Sequence, residues 1–218
     1  MSEQIHPAFE AANDSVDARP LAEQLGSADE LTTLSSIACS HQLTKVHSIG
    51  TLREFLVRYR EQALGPLEFR QIYAAYNLAT QNHFRELLAL DAQLAHDPAL
   101  QEFQLASRHV GKRQLNRLRA MKDLRLVQRY REAVNEGSAY GWHTLVYGII
   151  LSTYSLPLRQ GLLHYGRQTL GGFIGSATRS LDLPHDASLQ LQVELNSSLP
   201  PLIEETIRLN GSEIKLLP

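Results

Sequence analysis

His143 is the side chain whose surroundings in the sequence best suit chemistry. It lies between Trp142 and the apolar run from Leu145 to Leu151, so we predict a buried imidazole. In a pocket, such a histidine can act as a metal ligand or as a polar anchor. No second ligand stands one helical turn before or after it, as a metal site on one helix would require. The spacing therefore favours a core histidine that is hydrogen-bonded to a neighbouring helix.

The remaining histidines and the standard catalytic motifs add little chemistry. The other histidines form neither an HxH nor an HExxH arrangement, and His41 and His47 could share a metal only if a turn and a bend brought them together. The sequence has no GxxxxGK[ST] phosphate loop, no GxSxG elbow and no dense carboxylate cluster. We therefore expect a protein that is not an enzyme and that binds no cofactor by itself.

Two polar pairs interrupt helical patterns that are otherwise apolar. Ser107 and Arg108 come just before Gly111, where the missing side chain would let another helix cross closely. Ser176 and Arg179 follow a glycine-rich segment, and a buried arginine normally needs a hydrogen-bonded acceptor. We interpret both pairs as structural anchors.

Basic residues are concentrated between positions 112 and 131, where Asp123 is the one acidic residue. Spacings of one turn predict a basic ridge on an amphipathic helix. We assign to it Arg113, Arg117, Lys122, Arg125 and Arg129. The ridge is either a solvated face or a docking site for an acidic partner. Nucleic acid is a weaker interpretation, because the net charge is −2 and aromatic residues are not interleaved.

The elements that position these residues are predicted to be helices. From Gly50 onward, apolar residues recur at helical spacing. We predict an all-α, single-domain bundle of about eight to ten helices over residues 26–210, between a flexible N-terminal arm, 1–25, and a loose C-terminal tail, 211–218. Residues 189–195 alternate with period two, which is typical of a strand, but no second strand is evident and we predict a helix there.

Sequence signals also predict where the helices begin and end. We expect breaks at Gly65-Pro66, at Gln81-Asn82 and between Ser155 and Pro157. A capping box is expected at Thr51 and Glu54, and a long helix is expected to open at Asp97-Pro98.

Composition indicates the compartment. The chain of 218 residues has one cysteine, Cys39, which cannot form an internal disulfide. It has no secretory signal at its start and no apolar run near the roughly 20 residues that a membrane-spanning helix needs. We therefore expect a cytoplasmic protein that does not enter a membrane.

Several segments, taken in order, resemble the UreF family of urease accessory proteins. The segment from His143 to Gly148 is similar to its HPxxxG element, and Leu156-Pro157-Leu158 is similar to its xPLxxxLxxY helix start. Ser176 to Arg179 resembles S-A-A-x-R-L, Leu87 to Asp91 resembles LDxxL, and Ala106 to Gly111 resembles SxxxG. Residues 40–44 fall where the family has S-x-G-L-E. Over residues 33–44 and 184–189 the chain departs from the family pattern, which predicts a divergent member.

The resemblance implies an all-α, UreF-like fold, a homodimer and an adaptor role without catalysis. It implies binding to UreD (UreH in some systems) and to the GTPase UreG, an assembly that inserts nickel into apo-urease and in which nickel and GTP belong to the partners. The family-motif positions, which we expect to bind partners or support the fold, are Ser40, His41, Leu43, Ser107, Arg108, Gly111, His143, Gly148, Ser176 and Arg179.

Two alternatives compete with this interpretation. One is a helical-bundle enzyme of haem-oxygenase type, in which His143 would be the axial ligand of the haem. The other is a helical domain that binds nucleic acid through the basic ridge.

Overall fold

The structure is a computed structural model that describes residues 46–97, 100, 104–118 and 125–213. All regular elements in these ranges are helical, which confirms the all-α prediction. They are α1 (Ile49–Tyr59), a π-helical segment (Arg60–Phe69), α2 (Arg70–Thr80), α3 (Phe84–Ala95), α4 (Gln104–Arg117), α5 (Arg125–Glu136), α6 (His143–Thr153), α7 (Leu158–Leu181), α8 (His185–Ser197) and α9 (Leu199–Glu213).

The first three segments follow one another without interruption, so the predicted break at Gly65-Pro66 is wrong. Pro66 lies inside the π-helical segment. Proline in an α-helix clashes with the carbonyl four residues earlier, and a π turn relieves this crowding because its hydrogen bonds span five residues. α8 and α9 are separated by Ser198 alone. Counted as continuous helices, the described residues contain seven, slightly fewer than predicted.

Most helix ends follow the predicted signals. α2 ends before Asn82, which has φ 58°, and α6 ends before Ser155, which has φ 54°. Both breaks are therefore confirmed. α1 instead begins after Ser48, whose hydroxyl and that of Thr51 form a reciprocal capping box. The predicted box at Thr51 and Glu54 is wrong, because an earlier serine supplies the cap.

The segment with strand-like alternation is helical, as predicted. Leu191 and Leu195 lie one turn apart on the buried face of α8. Leu189 and Val193 lie one turn apart on another face, where they are 47% and 71% exposed. The period-two pattern therefore comes from two interleaved helical pairs, of which one packs into the core.

Some predictions fall at or beyond the ends of the described ranges. The predicted arm, the segment with Ser40, His41 and Leu43, and Lys122 lie outside the described residues. α4 begins at Gln104, and the predicted helix start at Pro98 also lies outside them. α9 continues to Glu213, so the first three residues of the predicted tail are helical. The reason is packing, since Gly211 lies close to the hydroxyl of Tyr73 on α2.

The core consists of two clusters of buried apolar side chains. One joins α1, the π-helical segment, α7, α8 and α9, and the other joins α3, α4, α5 and α6. α2 and α6 contribute buried side chains to both clusters, and these two helices cross closely at Gly148. A Cβ atom there would lie 2.6 Å from the carbonyl oxygen of Ile72, so glycine is required for this crossing. Among the described residues, no helix combines the length and apolar character needed to span a membrane.

Candidate functional site

The loop that precedes α6 is held by one buried carboxylate. Asp91 on α3 accepts hydrogen bonds from the backbone N–H groups of Tyr140, of Gly141 at 3.0 Å and of Trp142 at 3.4 Å. The hydroxyl of Tyr130 donates to the same carboxylate at 2.7 Å. Burial and then the neighbouring Asp91 raise the pKa of Tyr130 well above its ordinary value. The acid is therefore a fixed anchor, because four donors from two other elements satisfy it.

α4 crosses the same loop at Gly111. A Cβ atom at this position would collide with the carbonyl oxygen of Gly141, so a close approach is present, but to the loop before α6 and not to another helix. One turn earlier, the Oγ atom of Ser107 accepts a hydrogen bond from the backbone N–H of His143 at 3.0 Å. Ser107 thus caps the start of α6 from a neighbouring helix, and three family-motif residues meet at one junction.

A continuous series of polar side chains leads from this junction through the core. Ser107 Oγ lies 2.8 Å from Nδ1 of His143, and Nε2 of His143 lies 3.1 Å from the hydroxyl of Tyr165 on α7. The side chain of Tyr165 also interacts with Glu68 and lowers the pKa of its carboxyl group. Tyr59 on α1 donates to the two carboxylate oxygens of Glu68 at 2.7 and 2.8 Å. We call Ser107, His143, Tyr165, Glu68 and Tyr59 the buried polar chain.

Burial sets the charge states along the buried polar chain. It lowers the pKa of His143 to about 4, so the imidazole is neutral at neutral pH. Burial also raises the pKa of Glu68 to about 7, against the hydrogen bonds from Tyr59 and Tyr165, which lower it. The pKa of Tyr165 is raised well above its usual value, first by burial and then by Glu68. Near pH 7, Glu68 is therefore the member of the chain that exchanges a proton.

His143 occupies the position that the sequence predicts for a core histidine bonded to neighbouring helices. Both ring nitrogens are within hydrogen-bond distance of protein groups. This arrangement does not suit an axial haem ligand, because such a ligand needs one nitrogen directed at the metal. In the part of the chain that the structure describes, no group of three or more His, Cys, Asp or Glu side chains could hold a metal ion.

The other family-motif residues are divided between two places. The guanidinium of Arg108 lies 5.4 Å from the centre of the Tyr140 ring, so this residue belongs to the junction at α6. Ser176 and Arg179 lie on α7, and Arg179 is exposed, which makes the predicted buried arginine wrong. The anchor at this place is Thr178, whose hydroxyl donates to Ser188 on α8 at 2.8 Å.

The sequence predicts a basic ridge on one helix, but the described members of the ridge belong to two helices. Arg113 and Arg117 belong to α4, whereas Arg125 and Arg129 belong to α5. Arg113 is partly buried and the other three are exposed. Arg129 also stacks on Phe84 of α3, with 4.0 Å from its guanidinium carbon to the ring centre. The exposed arginines therefore form a basic surface from two helices.

Sequence reasoning missed several members of this site. Asp91 is recognisable as a carboxylate on the apolar stripe of α3, and such a group must find donors when the stripe is buried. Tyr59 and Tyr165 appear in the sequence as ordinary apolar positions. Glu68 carries no signal, since it follows the expected break at Gly65-Pro66.

A comparison with known protein families identifies the family to which the chain belongs. The family model of UreF matches residues 46–196, well over half of the chain. The match extends from just before α1 into the last turn of α8 and includes Asp91, Ser107, Gly111 and His143. It confirms the resemblance over this range, whereas residues 28–44 lie outside it. The helical architecture and the match agree, and the chain belongs to the UreF family of urease accessory proteins.

Proposed function

We propose that this protein is a non-catalytic adaptor in urease maturation. It acts in the cytoplasm as a homodimer and joins a UreD- or UreH-like protein and a UreG-like GTPase on apo-urease. The assembly inserts nickel, while nickel and GTP are bound by the partners. The observation that carries this proposal is the family match over residues 46–196, because UreF proteins serve urease as accessory factors.

The geometry of the molecule is compatible with an adaptor. His143, the side chain best suited to chemistry in the sequence, is hydrogen-bonded to Ser107 of a neighbouring helix. The basic surface, in contrast, presents Arg117 and Arg125 to solvent. Exposed charges of one sign raise the association rate with an oppositely charged partner and help to set its orientation. We therefore place partner contacts on exposed helix faces.

The test is activation of urease in a host that supplies nickel. Urease should be inactive when the gene for this chain is deleted and active when the gene is restored. The tagged protein should co-purify with the UreD-like and UreG-like proteins of the same host. Recovery of neither partner, together with unchanged urease activity after deletion, contradicts the proposal.

Charge reversal locates the acidic partner. We expect the double variant Arg117→Glu, Arg125→Glu to weaken capture of one accessory partner by about tenfold or more, through lost attraction and new repulsion. Arg167→Glu is the matched control, since Arg167 is exposed on α7 and outside the α4–α5 pair. Equal capture by both variants, measured over a range of salt concentrations, excludes the basic surface as the docking site.

A further inference from the structure

One arginine of the basic surface is held in place by an aromatic ring. Arg129 lies over the face of the Phe84 ring, with 4.0 Å from its guanidinium carbon to the ring centre. Among the described residues, Arg108 also lies over a ring, that of Tyr140, but at 5.4 Å, and Arg108 is partly buried. Arg129 is exposed, so its guanidinium is both positioned and available to a partner.

Phe84 is a fixed platform for this guanidinium. It is the first residue of α3, and its ring packs against the core cluster that joins α3, α4, α5 and α6. Two backbone hydrogen bonds hold the turn before it, from His83 N–H to the oxygen of Leu78 at 2.8 Å and from Phe84 N–H to the oxygen of Asn82 at 3.1 Å. A fixed ring positions Arg129 before a partner arrives, which reduces the conformational entropy lost on binding.

The guanidinium over the ring keeps its hydrogen-bonding edge. Its N–H groups lie in the plane of the group, so a ring against one face leaves them free to bind at the side. Two parallel N–H groups match the two oxygens of a carboxylate. Within the described part of the chain, Arg129 forms no ion pair, although Glu132 is exposed on the next turn of α5. The geometry therefore suits a carboxylate that comes from another molecule.

Two further arginines flank this pair. Arg85 follows Phe84 on α3, and Arg125 lies one turn before Arg129 on α5. Both are exposed, and neither forms an ion pair with a described residue. Three positive groups without a neutralising partner favour a ligand that carries several negative charges.

Acidic residues next to the basic surface argue against a nucleic acid as this ligand. Glu86 is exposed directly after Arg85, and Glu132 and Glu136 are exposed on later turns of α5. A nucleic-acid backbone carries a phosphate at every nucleotide and is bound along a continuous basic groove. A protein segment can place single carboxylates opposite single arginines.

We propose that Arg129 and Phe84 form the carboxylate-binding centre of the basic surface, and that the ligand is an acidic segment of a protein partner. Arg129 binds one aspartate or glutamate through its pair of N–H groups, while Arg85 and Arg125 attract further carboxylates. The identity of the partner as a urease accessory protein rests on the proposed adaptor role. Because recognition depends on the planar guanidinium and on the ring beneath it, Arg129→Lys keeps the charge but does not preserve the centre.

NMR of the full-length protein with ¹⁵N-labelled arginine tests the centre at low salt, with N-acetylated, C-amidated hexaglutamate as the probe. We expect the Nε–H signal of Arg129, assigned with Arg129→Lys, to shift and saturate, while the signal of the exposed Arg167 on α7 shifts much less. Absence of binding, or equal shifts of the two signals, overturns the proposal. An oligothymidylate of the same charge should bind more weakly, and equal or tighter binding of it overturns the choice of an acidic protein segment.

Four variants separate the planar guanidinium and the ring from charge alone. Arg129→Lys and Phe84→Leu should each weaken hexaglutamate binding by about fivefold, since the first loses the paired N–H groups and the second the aromatic face. Phe84→Tyr keeps that face and should bind within about twofold of the wild type. Arg167→Lys is the matched control and should leave the affinity unchanged. Wild-type affinity in Arg129→Lys, in a protein with a native amide spectrum, contradicts the proposal.

Capture of the accessory partners connects the centre to the proposed function. Arg129→Lys should lower capture of the UreD-like or the UreG-like protein by a factor similar to that for hexaglutamate. Equal capture by Arg129→Lys and the wild type overturns the centre and leaves the adaptor role standing. If the wild type captures neither protein, the adaptor role is contradicted, whereas the hexaglutamate measurement, which uses no urease component, still decides the centre.

Discussion

Two carboxylates, the fully buried Asp91 and the partly buried Glu68, differ in the donors that surround them. Asp91 accepts from three successive backbone N–H groups and from one tyrosine hydroxyl. Glu68 accepts from one hydroxyl, that of Tyr59, through both of its oxygens. A backbone N–H group can only donate a hydrogen bond, whereas a hydroxyl can donate or accept one. The site of Asp91 therefore demands an acceptor at all times, and the site of Glu68 can accommodate an acid in either protonation state.

This difference separates a structural region from a responsive one. Asp91 fixes the loop against which α4 crosses, and both features serve to hold α6 in place. Glu68 lies in a π-helical segment, a form that often occurs at functional positions. Substitutions around Asp91 should accordingly cause a large loss in the free energy of unfolding that does not depend on pH. Substitutions around Glu68 should cause a smaller loss that depends on pH.

The largest effect is expected for Asp91→Ala. The variant leaves three backbone N–H groups and the hydroxyl of Tyr130 without their acceptor in a buried site, so we expect a loss of about 3–5 kcal/mol in the free energy of unfolding. Urea denaturation followed by circular dichroism measures it. Glu132→Ala, at an exposed position of α5, should change stability by less than about 0.5 kcal/mol. A similar small loss for Asp91→Ala shows that the loop does not depend on this anchor.

Gly111→Ala should have the next largest effect. The new methyl group would overlap the carbonyl oxygen of Gly141, a backbone atom that cannot move aside alone. We therefore expect the free energy of unfolding to fall by about 3 kcal/mol. Gly175→Ala on α7 is the matched control. Its Cβ atom would meet only the guanidinium of Arg179, at 3.6 Å, and a helical alanine should stabilise the protein by up to about 1 kcal/mol. Equal effects in thermal unfolding contradict the close crossing.

These two glycines illustrate how much of the fold the sequence could predict. Helical spacing identifies most helices, and the signals at Gln81-Asn82 and between Ser155 and Pro157 identify two of the breaks. Glycine content alone does not distinguish Gly111, which is packed against backbone, from Gly175, which is not. That distinction depends on the path of a loop 30 positions further along the chain, which local patterns do not contain.

The site was less predictable than the fold for a related reason. His143 was identified because an imidazole within an apolar run must find partners. Its partners Ser107 and Tyr165 come from two other helices, and sequence reasoning connects such residues only through a family resemblance. Glu68 was missed because Pro66 signals a helix break, and the π-helical geometry that removes this break arises from tertiary packing.

Removing one hydroxyl from the responsive region should cost less than removing the anchor. Tyr59→Phe deletes the donor to the two oxygens of Glu68. We expect the free energy of unfolding to fall by about 1.5 kcal/mol at pH 8, where the acid is ionised. The loss should be smaller at pH 6. Tyr76→Phe, which alters a partly buried tyrosine at the edge of the same core, should change stability by less than about 0.5 kcal/mol at either pH. A loss for Tyr59→Phe that is the same at both pH values contradicts its role as a donor to an ionising group.

The smallest effect is the pH dependence of stability that Glu68 itself creates. Its pKa is about 7 in the folded protein and 4.5 in the unfolded chain, so the folded state binds the proton more tightly. The resulting contribution of Glu68 to the free energy of unfolding is fully present below pH 4.5 and is lost as the pH rises through 7.

The pKa of His143 is shifted in the opposite direction, from 6.5 in the unfolded chain to about 4 in the folded protein. The contribution of His143 to the free energy of unfolding is therefore lost as the pH falls from 6.5 through 4. Between about pH 6.5 and pH 8.5 the contribution of Glu68 falls by about 0.8 kcal/mol and that of His143 rises by about 0.4 kcal/mol, so we expect the wild type to lose about 0.4 kcal/mol. Glu68→Gln lacks the contribution of Glu68, so the difference between the two proteins, about 0.8 kcal/mol, isolates Glu68. Parallel stability curves for the two proteins would show that Glu68 is already ionised throughout the range, and that both buried carboxylates are then fixed anchors.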